Sequence, residues 1–336
     1  MLKGIAMYTG LDQSEAELKA FFAKIKNQPL DFIFTSFHIA EAKNPSVSFL
    51  LDLLKETNIK LVVDFSKKRY DEFGYNPYII PRLDYGFSVT DIRHMLEVHD
   101  LLELNASVIN LDLLLALKKA NADFNKMRVS FNFYPKPLTG MAIDDVKAKI
   151  KLYHEFGLKA IIYIPCQNKR APLYQGLPTI EAFRYQSFEE NVKEAYLLDL
   201  DGICVGDALI SDEELVFLIN YKPDDDAFQN LDFQPFGTLN DEEWQIINSE
   251  LTIRNDESPL VVRSSSKRGM IITPHQTAEI LKRGSVVIDN TLLARYSGEL
   301  SIIKQDVKNP GTMNLVGFTT FKPELIKGGS KIRFKL

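Results

Sequence analysis

Short apolar runs recur along the first two-thirds of the chain, and stretches with apolar positions at helical spacing separate them. The runs are Gly4–Tyr8, Phe32–Phe37, Lys60–Phe65, Arg82–Phe87, Leu101–Ser107, Arg128–Tyr134, Lys159–Cys166 and Gly202–Asp207, which predict eight strands. Leu18, Phe21, Phe22 and Ile25 form one helical stripe, opened by Ser14-x-x-Glu17 as a capping box. Val47, Leu50, Leu51 and Leu54 form a second, and Val146, Ile150 and Tyr153 a third that Gly157 stops. Ser187-x-x-Glu190 and Ser211-x-x-Glu214 open the last two helices, while Lys67–Pro81, rich in aromatics and proline, reads as irregular. Strict alternation of strand and helix means parallel strands joined by crossovers. Eight such units in about 220 residues match the size of a closed barrel. An open doubly wound sheet is the second choice, but Tyr8-Thr9-Gly10 lacks the glycine-rich first turn that announces it.

Beyond Tyr221 the texture changes. The stretch 222–240 has two prolines and little periodicity, and its part 226–240 reads as a linker. Short β-like runs follow at Leu251–Arg254, Leu260–Ser264, Ser285–Asp289, Glu299–Ile303, Met313–Thr319 and Lys331–Lys335. The expected fold is therefore of the α/β class: a (β/α)8 barrel of TIM type over 1–225, the linker, and a small all-β domain over 241–336.

Composition narrows the class. The chain has 336 residues, 45% of them hydrophobic, and a net charge of −5 with no block of like charge, so nucleic acid is not an expected partner. No run approaches the ~18 apolar residues of a membrane span, and the opening MLKGIAMYTG reads as a strand rather than a secretory leader. Two cysteines, Cys166 and Cys204, both within apolar runs, fit a reducing cytoplasm. No metal site and no cofactor are expected, because the five histidines are scattered and no C-x-x-C or H-E-x-x-H occurs.

In an eight-fold barrel the chemistry sits at the carboxyl ends of the strands. Alternation in the fourth, fifth and sixth strands sends Leu83, Tyr85, Leu102, Leu104, Phe131 and Phe133 outward. Arg82, Asp84, Glu103, Asn105, Ser107, Ser130, Asn132 and Tyr134 then face the axis. Buried charge costs several kcal/mol unless paired, so such a cluster calls for a function, the plainer alternative being an internal ion pair around Arg82. Asp84 and Glu103 are the expected catalytic carboxylates of a glycosidic cleavage. On neighbouring strands about 4.8 Å apart they would approach the ~5–5.5 Å of a retaining pair. Asp64 and Asp207, also at strand ends, join Arg82, Asn105, Asn132, Tyr134 and Lys136 as expected substrate ligands. Lys136, between Pro135 and Pro137, would hold an anion over the site. In the tail, Arg263–Arg268 reads either as an anion ligand or as a solvated edge strand and turn.

Several strings in order carry a family resemblance: Arg82-Leu83-Asp84-Tyr85-Gly86-Phe87, Glu103-Leu104-Asn105-Ala106-Ser107, Asn132-Phe133-Tyr134-Pro135-Lys136-Pro137-Leu138-Thr139-Gly140, Gly176-Leu177-Pro178-Thr179-Ile180-Glu181, Asp201-Gly202-Ile203-Cys204-Val205-Gly206-Asp207, and, in the tail, Val262-Arg263-Ser264-Ser265-Ser266-Lys267 and Gly284-Ser285-Val286-Val287-Ile288-Asp289-Asn290. Together they resemble the 6-phospho-N-acetylmuramidase (MupG) family over nearly the whole chain. The resemblance implies a barrel followed by a cyclophilin-like domain. It also implies a cytoplasmic glycosidase of cell-wall recycling. Its substrate would be a small phosphorylated disaccharide of N-acetylmuramic acid 6-phosphate and N-acetylglucosamine. Where that family often has Arg in the Pro-x-Pro segment, this chain has Lys136. A homo-oligomer and a substrate-assisted route through the N-acetyl group stay open. Two rival readings place a sugar-phosphate isomerase or aldolase, or a non-enzymatic sugar-phosphate-binding protein, on the same barrel. An aldolase wants an interior lysine, and the strands offer only Lys60 and Lys159, at the wrong end. A metal isomerase wants His near acids, and only His38 lies at a strand end.

Overall fold

The computed structural model describes the chain except residues 37–38, 40–41, 43–45, 224–227, 266 and 276–277, so His38 and Ser266 lie outside the described residues. It divides into two compact units, Met1–Pro223 and Asp224–Leu336. In the first, the strands β1 (Leu2–Ala6), β2 (Phe32–Ser36), β3 (Lys60–Phe65), β4 (Ile79–Leu83), β5 (Leu102–Asn105), β6 (Met127–Ser130), β7 (Lys159–Ile164) and β8 (Gly202–Ala208) run parallel. They close into a barrel where β1 pairs with β8. Helices α1 (Glu15–Ile25), α2 (Val47–Leu54), α3 (Lys67–Phe73), α4 (Val89–Val98), α5 (Leu111–Lys119), α6 (Ile143–Glu155), α7 (Phe188–Leu197) and α8 (Asp212–Asn220) form the crossovers. This is the TIM-type architecture. None of the described helices is long and apolar enough to cross a membrane.

Local chemistry explains the elements. The Ser14–Glu17, Ser187–Glu190 and Ser211–Glu214 capping boxes are all formed, each serine hydroxyl accepting from the backbone N–H three residues on. The α1 stripe Leu18, Phe21, Phe22 and Ile25 is buried, as are Val146, Ile150 and Tyr153 on α6. Two expectations need correction. The segment 67–81 is not irregular throughout, because Ser66 caps α3 and Lys67 pairs with Asp71 one turn on. Strand four lies earlier than expected, at Ile79–Leu83 instead of Arg82–Phe87, so it begins inside that same segment, and strands five and six stop short, at Asn105 and Ser130. Gly86, with φ of +86°, turns the chain after β4, and Pro135 and Pro137 follow β6.

The barrel interior has two unlike sides. Ala6, Tyr8, Phe32, Phe34, Ile161, Tyr163 and Cys204, from β1 and its neighbour, β2, β7 and β8, pack as one apolar cluster with Val62 and Ile80. On the opposite side β3 to β6 bury Asp64, Arg82, Glu103, Arg128 and Ser130.

The second unit is mainly β. A five-stranded sheet runs in the order Gln234–Pro235, Met313–Phe318, Ser285–Asp289, Leu300–Ile303, Val261–Arg263. A three-stranded sheet holds Leu251–Thr252, Lys331–Lys335 and Phe228–Asp232. Part of the expected linker is thus strand: Leu231 and Phe233 are buried on alternate positions. Asp232 between them accepts from Thr319 Oγ1 and the Thr320 and Phe321 N–H groups. A helix, Asp241–Ile247, also falls where only strands were expected, capped by an Asn240–Glu243 box. The basic tail stretch is tied up in structure, since Arg263 pairs with Asp256 and Arg268 with Glu299.

One buried acid in this unit has an oxygen without a hydrogen-bond partner. Asp289 Oδ1 is buried with no hydrogen bond, and burial, with Glu299 nearby, pushes its carboxyl from 3.8 up to about 7. The fold favours the neutral form. That contribution is fully present below about pH 3.8 and is lost as pH rises through about 7. Asp289→Asn should therefore raise the melting temperature at pH 8 and leave it nearly unchanged at pH 3.5. Calorimetric scans at the two pH values check this.

Candidate active site

The register of the strands sets four ionisable residues in one row. Asp64 on β3 is the Cα partner of Arg82 on β4, Arg82 of Glu103 on β5, and Glu103 of Arg128 on β6. The charges alternate along the row, so each side chain has an opposite neighbour. Arg82 Nη1 donates to Asp64 Oδ1 at 2.6 Å, and Arg128 Nε to Glu103 Oε2 at 2.6 Å. Ser130 closes the gap: its hydroxyl accepts from Arg82 Nε at 2.7 Å and donates to Glu103 Oε1 at 2.6 Å. Arg82 Nη2 donates to Asn132 Oδ1 at 2.8 Å. Burial works against the charge of Arg82, but Asp64 and Glu103 outweigh it and raise its pKa above that of free arginine.

Asp84 lies just past the end of β4 and is partly exposed. Its Oδ1 accepts from Asn105 Nδ2 at 2.5 Å and lies 3.8 Å from Arg82 Nη1. The same guanidinium nitrogen therefore serves Asp64 and Asp84. Glu103 is not the neighbour of Asp84, as expected, because the register sets it opposite Arg82, one layer deeper. It is fully buried, with both oxygens engaged by Arg128 and Ser130.

A cavity of about 260 Å³ opens at the carboxyl ends of the strands. Phe34, Ile39, Phe133, Pro135 and Tyr163 make one wall, and Ser36, Asp64, Arg82, Asn132 and Arg170 supply polar groups. Phe133 was expected to point outward. Strand β6 ends at Ser130, so alternation no longer governs it, and its ring packs edge-on against Phe34 and Tyr163. Of the expected ligands, Asp64, Arg82 and Asn132 meet in this cavity, and Asn105 supports Asp84. Three are elsewhere. Lys136 is exposed on its loop and does not line the cavity. Tyr134 joins the loop framework through its backbone, its N–H donating to Pro178 O and its carbonyl accepting from Arg184. Asp207 is buried, and its carboxylate accepts from the backbone N–H of Cys166, Arg170 and Leu177. Burial raises its pKa, and those three N–H bonds pull the other way.

Two clamps hold the loops around the cavity. Asp207 ties down the loop after β7 at the three points just named. The Glu181 carboxylate accepts from Leu138 N, Gly140 N and Arg184, while Arg184 donates to the carbonyls of Tyr134, Gln175 and Gly176. Gly140 has to be glycine, since a Cβ there would lie 2.6 Å from Glu181 Oε2 and 2.8 Å from its backbone. The Arg184 hydrogen bond, with the Leu138 and Gly140 N–H groups, holds the Glu181 carboxyl at about 2.

The cavity-lining charge that the sequence reading missed is Arg170. Its guanidinium sits 4.6 Å over the Tyr8 ring and 5.6 Å from the Phe133 ring, with Nε and Nη1 buried and without a hydrogen-bond partner. An arginine six residues past the end of the seventh strand was the available signal. Among the described residues no group of three His, Cys, Asp or Glu side chains could hold a metal ion.

Comparisons with known proteins agree with this picture. Residues 3–220 match the family profile described as 6-phospho-N-acetylmuramidase, N-terminal, and residues 230–335 its C-terminal counterpart. Among solved structures, the chain is similar to a conserved protein of unknown function from Enterococcus faecalis: 26% identity, TM-score 0.57, covering 100% of this chain and 96% of that one. It shares its fold with an uncharacterised B. cereus protein: 21% identity, TM-score 0.60, covering 100% of this chain and 99% of that one. No curated protein matches it in sequence.

Two variants test the structural roles. Glu103→Gln leaves two buried arginines with one carboxylate fewer. Removing one partner of a buried pair costs about 3–5 kcal/mol, so the melting temperature should fall by roughly 10 °C. A variant that melts like wild type yet loses activity more than about 100-fold would return Glu103 to the chemistry. The depressed carboxyl of Glu181 adds stability that is fully present above about 4.5 and is lost as pH falls through about 2. The difference in melting temperature between wild type and Glu181→Gln should be large at pH 7 and shrink between pH 4.5 and 2.

Proposed function

This chain belongs to the 6-phospho-N-acetylmuramidase family of glycosidases, and from that premise we propose that it hydrolyses the bond joining N-acetylmuramic acid 6-phosphate to N-acetylglucosamine. The disaccharide would come from cell-wall recycling in the cytoplasm, and the second unit is read as cyclophilin-like on the family resemblance alone. The observation that supports the reaction is the pair of carboxylates, Asp64 and Asp84, sharing Arg82 Nη1 at the mouth of the barrel.

In this proposal the pair is Asp64 and Asp84, with Glu103 moved to the framework. Asp64, held by Arg82 and accepting from Ser36 Oγ at 3.2 Å, is the nucleophile. Asp84, more open to solvent, is the acid and base. Asp64 attacks the anomeric carbon, the glycosidic C–O bond breaks, and the leaving oxygen takes the proton of Asp84. Water then attacks the glycosyl ester, Asp84 recovers the proton from it, and Asp64 leaves. The two oxygens facing Arg82 Nη1 lie 2.6 and 3.8 Å from it. Sharing one guanidinium nitrogen keeps the two carboxylates close, which favours the short spacing of a retaining pair, about 5–5.5 Å, over the wider spacing of an inverting one. Retention of configuration is therefore proposed. A cavity of 260 Å³ takes one sugar ring, with Asn132 beside it, and leaves the second ring at the mouth. The aldolase alternative gains no support, since Lys60 and Lys159 are exposed at the starts of their strands.

The test is product analysis on the phosphorylated disaccharide, with NMR reading the anomer released first. Asp64→Asn and Asp84→Asn should each lower kcat by 100-fold or more. Either variant keeping above about a tenth of wild-type kcat would lose its assigned role, and first release of the inverted anomer would overturn retention.

A further inference from the structure

We infer that Arg170 is the anion receptor of the barrel cavity and that the group it receives is a phosphate monoester. The identification of the ester with the substrate's 6-phosphate rests on the function proposed above. The receptor itself does not.

The argument is one of elimination among the cations near the cavity. Arg82 lines it, but each of its nitrogens is already bonded and its charge is met by carboxylates: Nε is bonded to Ser130, Nη1 to Asp64 with Asp84 at 3.8 Å, and Nη2 to Asn132 and two carbonyls. Its charge belongs to the row. Arg128 is paired with Glu103, and Arg184 is spent on Glu181 and the loop carbonyls. Lys136, on an exposed loop, does not line the cavity.

Arg170 differs from all of these. It lines the cavity and is 6% exposed. Nε and Nη1 are buried with no acceptor, and no carboxylate among the described residues forms an ion pair with the guanidinium. What holds it is aromatic contact with Tyr8 and Phe133, which draws on its charge and uses none of its N–H donors. A buried charge with neither partner nor hydrogen bond is costly to a fold. The counter-charge of Arg170 is Asp207, which acts at a distance: that carboxylate accepts from the Arg170 backbone N–H and takes no hydrogen bond from the guanidinium. A guanidinium carries five N–H donors suited to oxyanions. A phosphate monoester, with three terminal oxygens and up to two negative charges, matches the donors left unpartnered on Nε and Nη1 better than a carboxylate does.

The substrate class also carries a lactyl carboxylate, so the experiment must separate the two anions. Thermal unfolding of the full chain is followed with inorganic phosphate or with lactate, for wild type, Arg170→Met and Arg170→Lys. Phosphate should raise the wild-type melting temperature, act weakly on Arg170→Lys and not at all on Arg170→Met, while lactate does little to any of them. In turnover, the preference for the phosphorylated over the unphosphorylated disaccharide should fall at least 100-fold in Arg170→Met, mainly through KM. Stabilisation by lactate and not phosphate, or an unchanged phosphate response in Arg170→Met, would overturn the assignment. If Arg170→Met does not fold, a phosphate response in Arg170→Lys equal to wild type would do the same. A wild type that splits neither disaccharide, yet binds phosphate through Arg170, would sink the proposed reaction and leave the receptor standing. A folded Arg170→Met that keeps the phosphate preference would do the reverse.

Discussion

The barrel depends on a row of alternating charges, Asp64, Arg82, Glu103 and Arg128, set side by side by the register of four neighbouring strands. Inside a protein each of these groups alone would be costly, and the row is tolerable because it sums to neutrality and each member touches an opposite. Ser130 links the two ion pairs into one hydrogen-bonded line. The site stands on this line. Its outer end, Asp64 with Arg82, forms the floor of the cavity, and Asp84 takes its position from the same guanidinium. The inner end, Glu103 with Arg128, keeps Arg82 from swinging toward other acceptors. Chemistry and framework are thus adjacent links of one chain of contacts.

Much of this was legible in the residue pattern. Helix starts were marked by Ser-x-x-Glu boxes, whose chemistry is local, and the eight strands by their apolar runs. The inward set on strands four to six followed from the two-residue period, which holds while the ladder lasts. It failed for Phe133 and Tyr134 because β6 had already ended. The expected adjacency of Glu103 to Asp84 failed for a related reason. Carrying alternation two residues back from Ser130 would have turned Arg128 inward, as the partner Glu103 required. Which acid lies beside which is a matter of stagger between strands, and stagger is set by barrel closure rather than by any one segment. Arg170 and Asp207 were hard to read because their roles arise in a loop, where a carboxylate bonded to backbone N–H groups leaves no periodic trace.

The loops themselves are built as parts of the frame. Asp207 gathers three N–H groups from one loop, and the Glu181–Arg184 pair gathers two N–H groups and four carbonyls from others. Each bond is modest alone, but a carboxylate that receives several is strong and directional. The cavity wall is therefore already ordered before anything enters, which lowers the entropy a ligand must supply on binding.

The two sides of the barrel interior differ in polarity, and that difference bears on how a sugar enters. A pyranose has a face of C–H groups and an edge of hydroxyls. Against the rings of Phe34, Phe133 and Tyr163 it can lay only the C–H face without stranding hydroxyls. The hydroxyl edge then turns to Asp64, Arg82 and Asn132. A ring inserted the other way up would bury hydroxyls on hydrocarbon and leave the charged wall unserved. In the proposed reaction the cavity would thus select, at entry and before any bond is broken, which face of the sugar meets the carboxylates.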